Sequence, residues 1–210
     1  HGKHRKMILP IVAYGDPVLR LEAEEIDENY PKLKELIANM YETMYNAPGV
    51  GLAAPQIGLP IRLFVVDTVQ MFEEDEDEEK PKKKRKKSTK EGKEEGIIKA
   101  FINPIILEET GKLWPYEEGC LSIPGIHEEV MRHEKVTIEY QNENFELITE
   151  TYDGLTARVI QHEYDHIEGV LFTDKISSLK KRLIQKKLKN IFANYPKSKS
   201  VDEPPKVAIL

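Results

Sequence analysis

Gln161-His162-Glu163-Tyr164-Asp165-His166 is the stretch from which the fold and the chemistry of this chain can be inferred. Two histidines four residues apart project from one face of a helix, so both imidazoles can bind a single metal ion. The glutamate between them is placed to move protons on a water at that ion. This H-E-x-x-H pattern alone is only moderately specific, because short metal-like patterns also arise by chance. A metal site therefore requires a third ligand elsewhere in the chain.

Cys120, the single cysteine, is the best candidate for that third ligand. Beyond the motif the chain offers Glu168, which is too close on the same helix, and Asp174, but no further histidine. Two imidazoles and one thiolate leave a fourth position open, which is typical of a catalytic metal site. An oxyanion formed at such a site needs hydrogen-bond donors, and the amide of Gln56 and the backbone N–H of Leu121 could supply them.

Composition restricts the class of protein. The chain has 210 residues, 40% of them hydrophobic and 32% charged, which is typical of a soluble globular protein. The net charge of −6 argues against DNA as a partner. No apolar run approaches the ~20 residues that span a bilayer, and no signal peptide is recognisable, so we expect no membrane partner and a cytoplasmic location. One cysteine fits a reducing compartment.

The domain organisation follows from shifts in composition. We expect residues 1–6 to be a cloning remnant, residues 7–195 a single catalytic domain, and residues 196–210 a disordered tail. Residues 70–97 interrupt the domain as a charged, mobile insertion, with seven consecutive acidic residues at 73–79 followed by a basic block at 81–87.

Two interpretations of the charged insertion remain open. The adjacent acidic and basic blocks can neutralise one another as a solvated hairpin. The basic block also resembles a nuclear-import signal, so a nucleic-acid or import-factor binding protein built around residues 81–90 is an alternative function.

Hydrophobic periodicity predicts an α+β fold, in which antiparallel or mixed β-sheets pack around the central H-E-x-x-H helix, with an N-terminal and a C-terminal helix beside them. The predicted elements are a helix over residues 31–46, strands over 61–67 and 100–107, a loop with a short strand over 114–122, and a hairpin formed by 136–140 and 147–151.

Further residues predict where the later helices begin and end. Asp153 can cap the central helix and Gly169 can end it. Ser177 or Ser178 can cap the last helix. Its predicted apolar stripe consists of Leu179, Leu183, Leu188, Ile191 and Phe192.

Three stretches together resemble the signature motifs of the bacterial peptide deformylases. They are Gly49-Val50-Gly51-Leu52-Ala53-Ala54-Pro55-Gln56, Glu118-Gly119-Cys120-Leu121-Ser122 and Gln161-His162-Glu163-Tyr164-Asp165-His166. The motifs match in order and in character, and the likeness extends over residues 7–195 apart from the charged insertion. The resemblance implies a hydrolase of linear amides that removes the N-formyl group from the initiator methionine of nascent peptides and releases formate.

The resemblance also implies roles for individual residues. Cys120, His162 and His166 would bind one divalent metal, Fe²⁺ physiologically, although Zn²⁺, Ni²⁺ or Co²⁺ can occupy the site in this family. Glu163 would act as general acid and base, and Gln56 and the backbone of Leu121 would stabilise the oxyanion. Val50, Gly51 and Gly119 would present main-chain groups to an extended substrate, which thereby adds a strand to a sheet edge.

Some features depart from the common family pattern. Tyr164 stands where methionine is frequent, and His127 where many members place an arginine near the substrate. The C-terminal helix resembles that of the helical-tailed subclass, whose tail contributes to transient ribosome contact. Its basic residues would suit rRNA phosphates, or they form a merely solvated face: Lys180, Lys181, Arg182, Lys186, Lys187 and Lys189. We expect a monomer.

Simpler interpretations compete with these roles. A zinc endopeptidase could use the same helix with a third ligand other than Cys120. Glu118 and Arg132, which the resemblance pairs near the site, could be an ordinary surface salt bridge of little energetic value. His127 and His133 lack ligand spacing, and Ser122 has no base beside it in sequence, so we expect none of the three to be a ligand or nucleophile.

Overall fold

A five-stranded sheet and the helix that carries the H-E-x-x-H motif form the centre of the fold. The computed structural model describes residues 6–73 and 95–197. The helices are α1 (Leu33–Asn46), α2 (Gly154–Ile167) and α3 (Ser178–Asn194). The strands are β1 (Gly51–Ala53), β2 (Leu63–Asp67), β3 (Ile98–Cys120), β4 (Ile123–Gln141) and β5 (Leu147–Asp153). Short 3₁₀ helices occupy Pro17–Arg20, Ala54–Ile57, Val69–Met71 and Phe172–Lys175.

The strands lie in the sheet in sequence order, β1-β2-β3-β4-β5, and each pair of neighbours is antiparallel. The predicted α+β class is therefore confirmed. β1 occupies one edge of the sheet. β2 pairs with β3 only as far as Ile102, so the rest of β3 has β4 as its single neighbour in the described sheet.

The strand β3 is longer than predicted. Residues 114–120, expected as loop with a short strand, continue β3 and pair with β4 from Trp114↔Arg132 to Cys120↔Ile123. The stretch contains Pro115 and Gly119, which are unfavourable in strands, but pairing along the long hairpin overrides that local preference. A register shift lies between Ile102 and Ile105, where Pro104 has no backbone N–H to donate to the ladder.

Three apolar clusters pack these elements together. The predicted helix α1 buries Leu36, Ile37, Met40 and Met44 against the first strands. A second cluster joins α2 to the sheet and contains an aromatic stack, in which the ring of Phe101 lies 4.8 Å from Phe64 and 4.4 Å from Tyr140. A third cluster packs the β3–β4 turn against Phe172 and α3. Apolar packing on Phe172 and α3 therefore holds the turn next to Cys120 in place.

The helix boundaries agree with most of the predicted caps. Ser177 caps α3 by accepting a hydrogen bond from Lys180 N at 3.2 Å. Gly169 follows α2 with φ of +75°, a conformation that favours glycine. Asp153 stands at the N-cap of α2, but its side chain makes no capping hydrogen bond within the described chain.

The predicted apolar stripe of α3 is wrong at three of its five positions. Leu179, Leu183 and Phe192 are exposed, whereas Ile184 and Ile191 are buried, with Leu188 partly buried between them. Residues i, i+4 and i+7 share one helix face, and this set has that spacing. The predicted stripe mixed two faces of the helix.

Several expectations fall largely outside the described residues. Among residues 1–6 only Lys6 is described, and its Nζ lies 3.4 Å from Glu42 Oε1. Residues 74–94 of the charged insertion and 198–210 of the tail are not described. In the described ranges, none of the helices combines the length and apolar character needed to cross a membrane.

Candidate metal centre and active site

Three side chains from two elements converge on one point. Cys120 lies at the end of β3, and His162 and His166 lie one turn apart on α2. One potential ligand atom from each residue lies within 4.8 Å of the other two, and Cys120 Sγ is 3.3 Å from His166 Nε2. In tetrahedral coordination with bonds of about 2.0–2.3 Å, neighbouring ligand atoms are roughly 3.5 Å apart. The donor set therefore fits a divalent ion with little movement.

A buried carboxylate orients His162. Glu118 Oε1 lies 2.8 Å from His162 Nδ1. When Nδ1 donates its proton to this carboxylate, the lone pair of Nε2 is free for a metal, which is the usual arrangement around protein metal sites. Burial opposes ionisation of Glu118, but hydrogen bonds from His162 and Arg132 outweigh it and hold the pKa of Glu118 well below its usual range.

Two arginines surround the same carboxylate. Arg132 donates to Glu118 at 2.7 and 3.0 Å and to Asp165 of α2 at 2.8 Å, and Arg158 donates to Glu118 at 2.8 Å. Glu118 and Arg132 are each only 4% exposed. The interpretation of this pair as a weak surface salt bridge is therefore wrong, because loss of one partner would leave a buried charge uncompensated.

Glu163 lies beside the cluster in a different environment. Its Oε1 is 3.8 Å from His162 Nε2, and its Oε2 is buried without a hydrogen-bond partner among the described residues. Burial raises the pKa of Glu163 to about 7. Gly51 of β1 provides the space for this side chain, because a Cβ at that position would lie 2.8 Å from Glu163 Cγ and 2.9 Å from Cδ.

The two histidines differ in electrostatic environment. For His162, burial disfavours protonation, but hydrogen bonds to Cys120 and Glu118 raise its pKa well above the usual range. Burial holds the pKa of His166 well below the usual range, and its Nδ1 has no partner within the described part of the chain. A neutral His166 is the form that can act as a metal ligand.

Gln56 is held in one orientation beside the Cys120 thiol. Its Oε1 accepts a hydrogen bond from Ala53 N at 2.9 Å, so its Nε2 must face the opposite way. Nε2 donates to Ser122 Oγ at 3.2 Å and lies 3.5 Å from Cys120 Sγ. Gln56 is buried, so this amide is a fixed donor next to Cys120.

A cavity of about 650 Å³ opens over the cluster. Seven of the nine predicted site residues line it: Val50, Gly51, Gly119, Cys120, Leu121, His162 and Glu163. Gln56 and His166 are buried behind that lining. The three motifs found in the sequence therefore meet at one cavity.

Three residues that support the site were not predicted to do so from the sequence. Arg158 and Asp165 were not singled out, and Ser122 was considered only as a nucleophile. Arg158 stands four residues before His162, a spacing that places both on one helix face and could have indicated the contact with Glu118. Asp165 lies inside the H-E-x-x-H motif and pairs with Arg132, which no sequence pattern indicated. Ser122 is fully buried and accepts from Gln56, which fits its rejection as a nucleophile and gives it a supporting role.

The remaining residues singled out in the sequence lie at the periphery. His127 lines the cavity and packs against Gly119. A Cβ on Gly119 would lie 2.6 Å from the Cδ2 atom of His127. Tyr164 lies under Arg62, whose guanidinium carbon is 5.7 Å from the ring centroid. His133 contacts the Gly111 carbonyl oxygen at 3.1 Å. The described metal-ligand cluster contains none of these three residues.

Comparison with known proteins agrees with this geometry. The family model described as polypeptide deformylase matches residues 8–182. The peptide deformylase of Flavobacterium johnsoniae is 64% identical over 185 residues, covering 88% of this chain and 90% of the relative. That of Christiangramia forsetii is 60% identical with the same coverage. The crystal structure of peptide deformylase from Thermus thermophilus matches with a TM-score of 0.72 and 35% identity, over 89% of this chain and 99% of that one.

Replacement of the sulfur ligand should remove the metal. We expect Cys120→Ser to weaken metal binding, because a serine hydroxyl is not ionised at neutral pH. Loss of a residue that only supports a ligand typically lowers metal affinity about 10–100-fold, and loss of the ligand itself should lower it at least as much. Elemental analysis of protein purified without oxygen would measure this and identify the metal. His133→Ala is the control, since His133 lies outside the cluster. Full metal retention in Cys120→Ser would exclude the three-residue site.

Proposed function

This chain belongs to the polypeptide deformylase family, and we propose that it carries out the family's reaction with Cys120, His162 and His166 as metal ligands and Glu163 as general acid and base. The chain is a peptide deformylase, which removes the N-formyl group from nascent peptides. The alternative zinc endopeptidase is not favoured. The observation that carries the proposed roles is the convergence of the thiol, the two imidazoles and the Glu163 carboxylate at one cavity.

The family is metal-dependent, and the donor set supports one divalent ion per chain. We propose Fe²⁺ as the physiological metal, with Zn²⁺, Ni²⁺ or Co²⁺ able to occupy the same site, since thiolate and imidazole suit all of these ions. When bound, the ion supplies Lewis acidity toward water and the formyl carbonyl.

Glu163 is positioned to transfer the protons of the reaction. It takes a proton from water as the water oxygen bonds to the formyl carbon, and it gives a proton to the amine nitrogen as the C–N bond breaks. The products are formate and a free amino terminus. Three observations support this role: Glu163 lines the cavity, Oε1 lies 3.8 Å from His162 Nε2, and Oε2 is free of hydrogen bonds among the described residues.

Gln56 and Leu121 are proposed to stabilise the negative charge on the formyl oxygen. The fixed Nε2 of Gln56 lies 3.5 Å from Cys120 Sγ, and Leu121 follows that cysteine directly and lines the cavity. A side-chain amide and a backbone N–H are the usual components of an oxyanion hole, and each preorganised donor contributes about 3–4 kcal/mol to transition-state stabilisation.

The sheet offers two edges to an extended peptide. Gly51 begins the edge strand β1 and Val50 directly precedes it, and Gly119 lies in the part of β3 that pairs with β4 alone within the described sheet. All three residues line the cavity. We propose that the formylated peptide binds between these edges as an added strand, so that main-chain groups provide affinity for many sequences.

The cellular setting is likewise proposed. We infer a monomeric cytoplasmic enzyme whose single catalytic domain spans residues 7–195 and which contacts the ribosome transiently through α3. Lys181, Arg182, Lys186, Lys187 and Lys189 are exposed on that helix, whereas Lys180 is partly buried near Glu128. Exposed basic side chains on one helix suit phosphate backbones.

Glu163→Gln should separate catalysis from metal binding. The amide keeps the size of the side chain beside Gly51 but cannot accept the proton, so we expect the metal content to stay and kcat to fall about 10²–10⁴-fold. Formate release from a formyl-Met peptide and elemental analysis of the same sample measure the two quantities. Turnover within a few fold of wild type would exclude Glu163 as the general base.

Gly51→Ala should displace Glu163 without touching the ligands. The new methyl group would lie within 3 Å of Glu163 Cγ and Cδ, and a displacement of about 1 Å can lower a rate about 100-fold. We expect kcat on a formyl-Met peptide to fall by that order while metal is retained. Val66→Ala is the matched control, because Val66 pairs with Gly51 across β1 and β2 and its truncation adds no atom beside Glu163. Equal kcat loss in both variants would show a general folding defect instead.

Charge reversal on α3 tests the ribosome contact. In a triple variant with glutamate at positions 186, 187 and 189, we expect weaker co-sedimentation with ribosomes. The binding constant should also depend less steeply on salt concentration, since each lost phosphate contact lowers the slope of log K against log[salt]. Turnover of a short formyl peptide should stay within a few fold. The matched control carries arginine at the three positions and should still bind. Unchanged co-sedimentation of the glutamate variant would favour a merely solvated basic face.

A further inference from the structure

All acceptor positions of the Glu118 carboxylate are used. Oε1 contacts His162 Nδ1 at 2.8 Å and accepts from Arg132 Nη2 at 3.0 Å. Oε2 accepts from Arg132 Nε at 2.7 Å and from Arg158 Nη1 at 2.8 Å. A carboxylate has about four lone-pair sites, so this one is saturated and has no freedom to rotate. The orientation of His162 therefore depends on each of the donors that hold Glu118.

Arg158 fixes this carboxylate to both strands of the long hairpin. Its Nη1 also donates to Val130 O of β4 at 2.8 Å, and its Nη2 donates to Trp114 O of β3 at 2.6 Å. Its guanidinium carbon lies 4.7 Å from the centroid of the Trp114 ring and 5.7 Å from that of Tyr116. Arg158 is 2% exposed, so these contacts are largely shielded from water. The guanidinium is a rigid connection between α2, β3 and β4.

We propose that Arg158 is a positioning residue of the metal centre, which holds Glu118 and through it keeps His162 Nε2 directed at the metal. This inference rests on the proposed ligation by His162. Arg132 and Arg158 act differently, because Arg132 also binds Asp165 on α2, whereas Arg158 binds the carbonyl groups of the strands. Without Arg158, the Glu118 carboxylate would keep Arg132 of β4 but lose one of its two arginine donors, and α2 would lose its contacts with Val130 O and Trp114 O.

The test measures metal release in the absence of substrate, because Arg158 also lines the cavity and activity alone would not separate the two effects. Protein loaded with Co²⁺ or Zn²⁺ is mixed with excess chelator, and the release rate is followed. We expect Arg158→Met to release metal about tenfold faster than wild type, as for loss of other groups that support metal-bound histidines. The visible spectrum of the Co²⁺ form should also change, since the ligand field depends on the orientation of His162.

Arg62 supplies a matched control. It is also a buried arginine beside α2, where it pairs with Glu168 at 2.8 Å and stacks on Tyr164, but it does not contact Glu118. Arg62→Met should lower stability while metal release and the Co²⁺ spectrum stay as in wild type. Equal acceleration in the Arg62 and Arg158 variants would overturn the positioning role and indicate a general loss of stability.

A conservative variant decides the question if Arg158→Met does not fold. Lysine keeps the charge near Glu118 but has a single nitrogen, so it cannot hold Glu118 and both strand carbonyls in the same geometry. We expect Arg158→Lys to release metal about threefold faster than wild type, between wild type and Arg158→Met. Release by Arg158→Lys at the wild-type rate would overturn the proposal. Metal retention in Cys120→Ser would instead contradict the proposed function, so the two failures are distinguishable.

Discussion

Charges buried around α2 are the constraint on which the rest of the structure depends. Nine of the fourteen residues of this helix are buried, among them Arg158, Glu163 and His166. Charges removed from water destabilise a fold unless each has a partner in good geometry. Here Glu118 from β3 pairs with Arg158 and contacts His162, and Arg132 from β4 pairs with Asp165, so three polar side chains of the helix have partners on the hairpin. The helix can therefore bring polar ligands into the core only because the hairpin beside it carries complementary charges.

The same environment gives two glutamates opposite properties. Glu118 is surrounded by donors, and its pKa lies well below the usual range. Glu163 is buried to a similar degree, but burial dominates and its pKa rises to about 7. A permanently ionised carboxylate can orient a histidine, whereas one that titrates near neutral pH suits proton transfer. Position relative to the two arginines, rather than residue type, separates the pKa values of the two carboxylates.

Local patterns predicted the parts of the fold that depend on local sequence. The spacing of apolar residues in α1, the β-branched run of β2 and the Ser177 cap are short-range features, and the structure contains all three. The H-E-x-x-H motif likewise predicted two of the clustered side chains. The length of β3 was missed because it depends on pairing with β4, and the stripe of α3 because its packing partners are remote in sequence.

The support of the cluster of Cys120, His162 and His166 depends on the register of one hairpin, which no local pattern encodes. β3 ends at Cys120 and β4 begins at Ile123, and a register shift between Gly119 and Cys120 then sets Glu118 opposite Glu128 and Trp114 opposite Arg132. In this register Glu118 and Arg132 lie on the same face and meet below the helix. A slip by one residue would turn one of them away from α2, because side chains alternate along a strand. Residues 118–122 therefore work as a unit: Glu118 orients His162, Cys120 joins the cluster, and Ser122 holds Gln56.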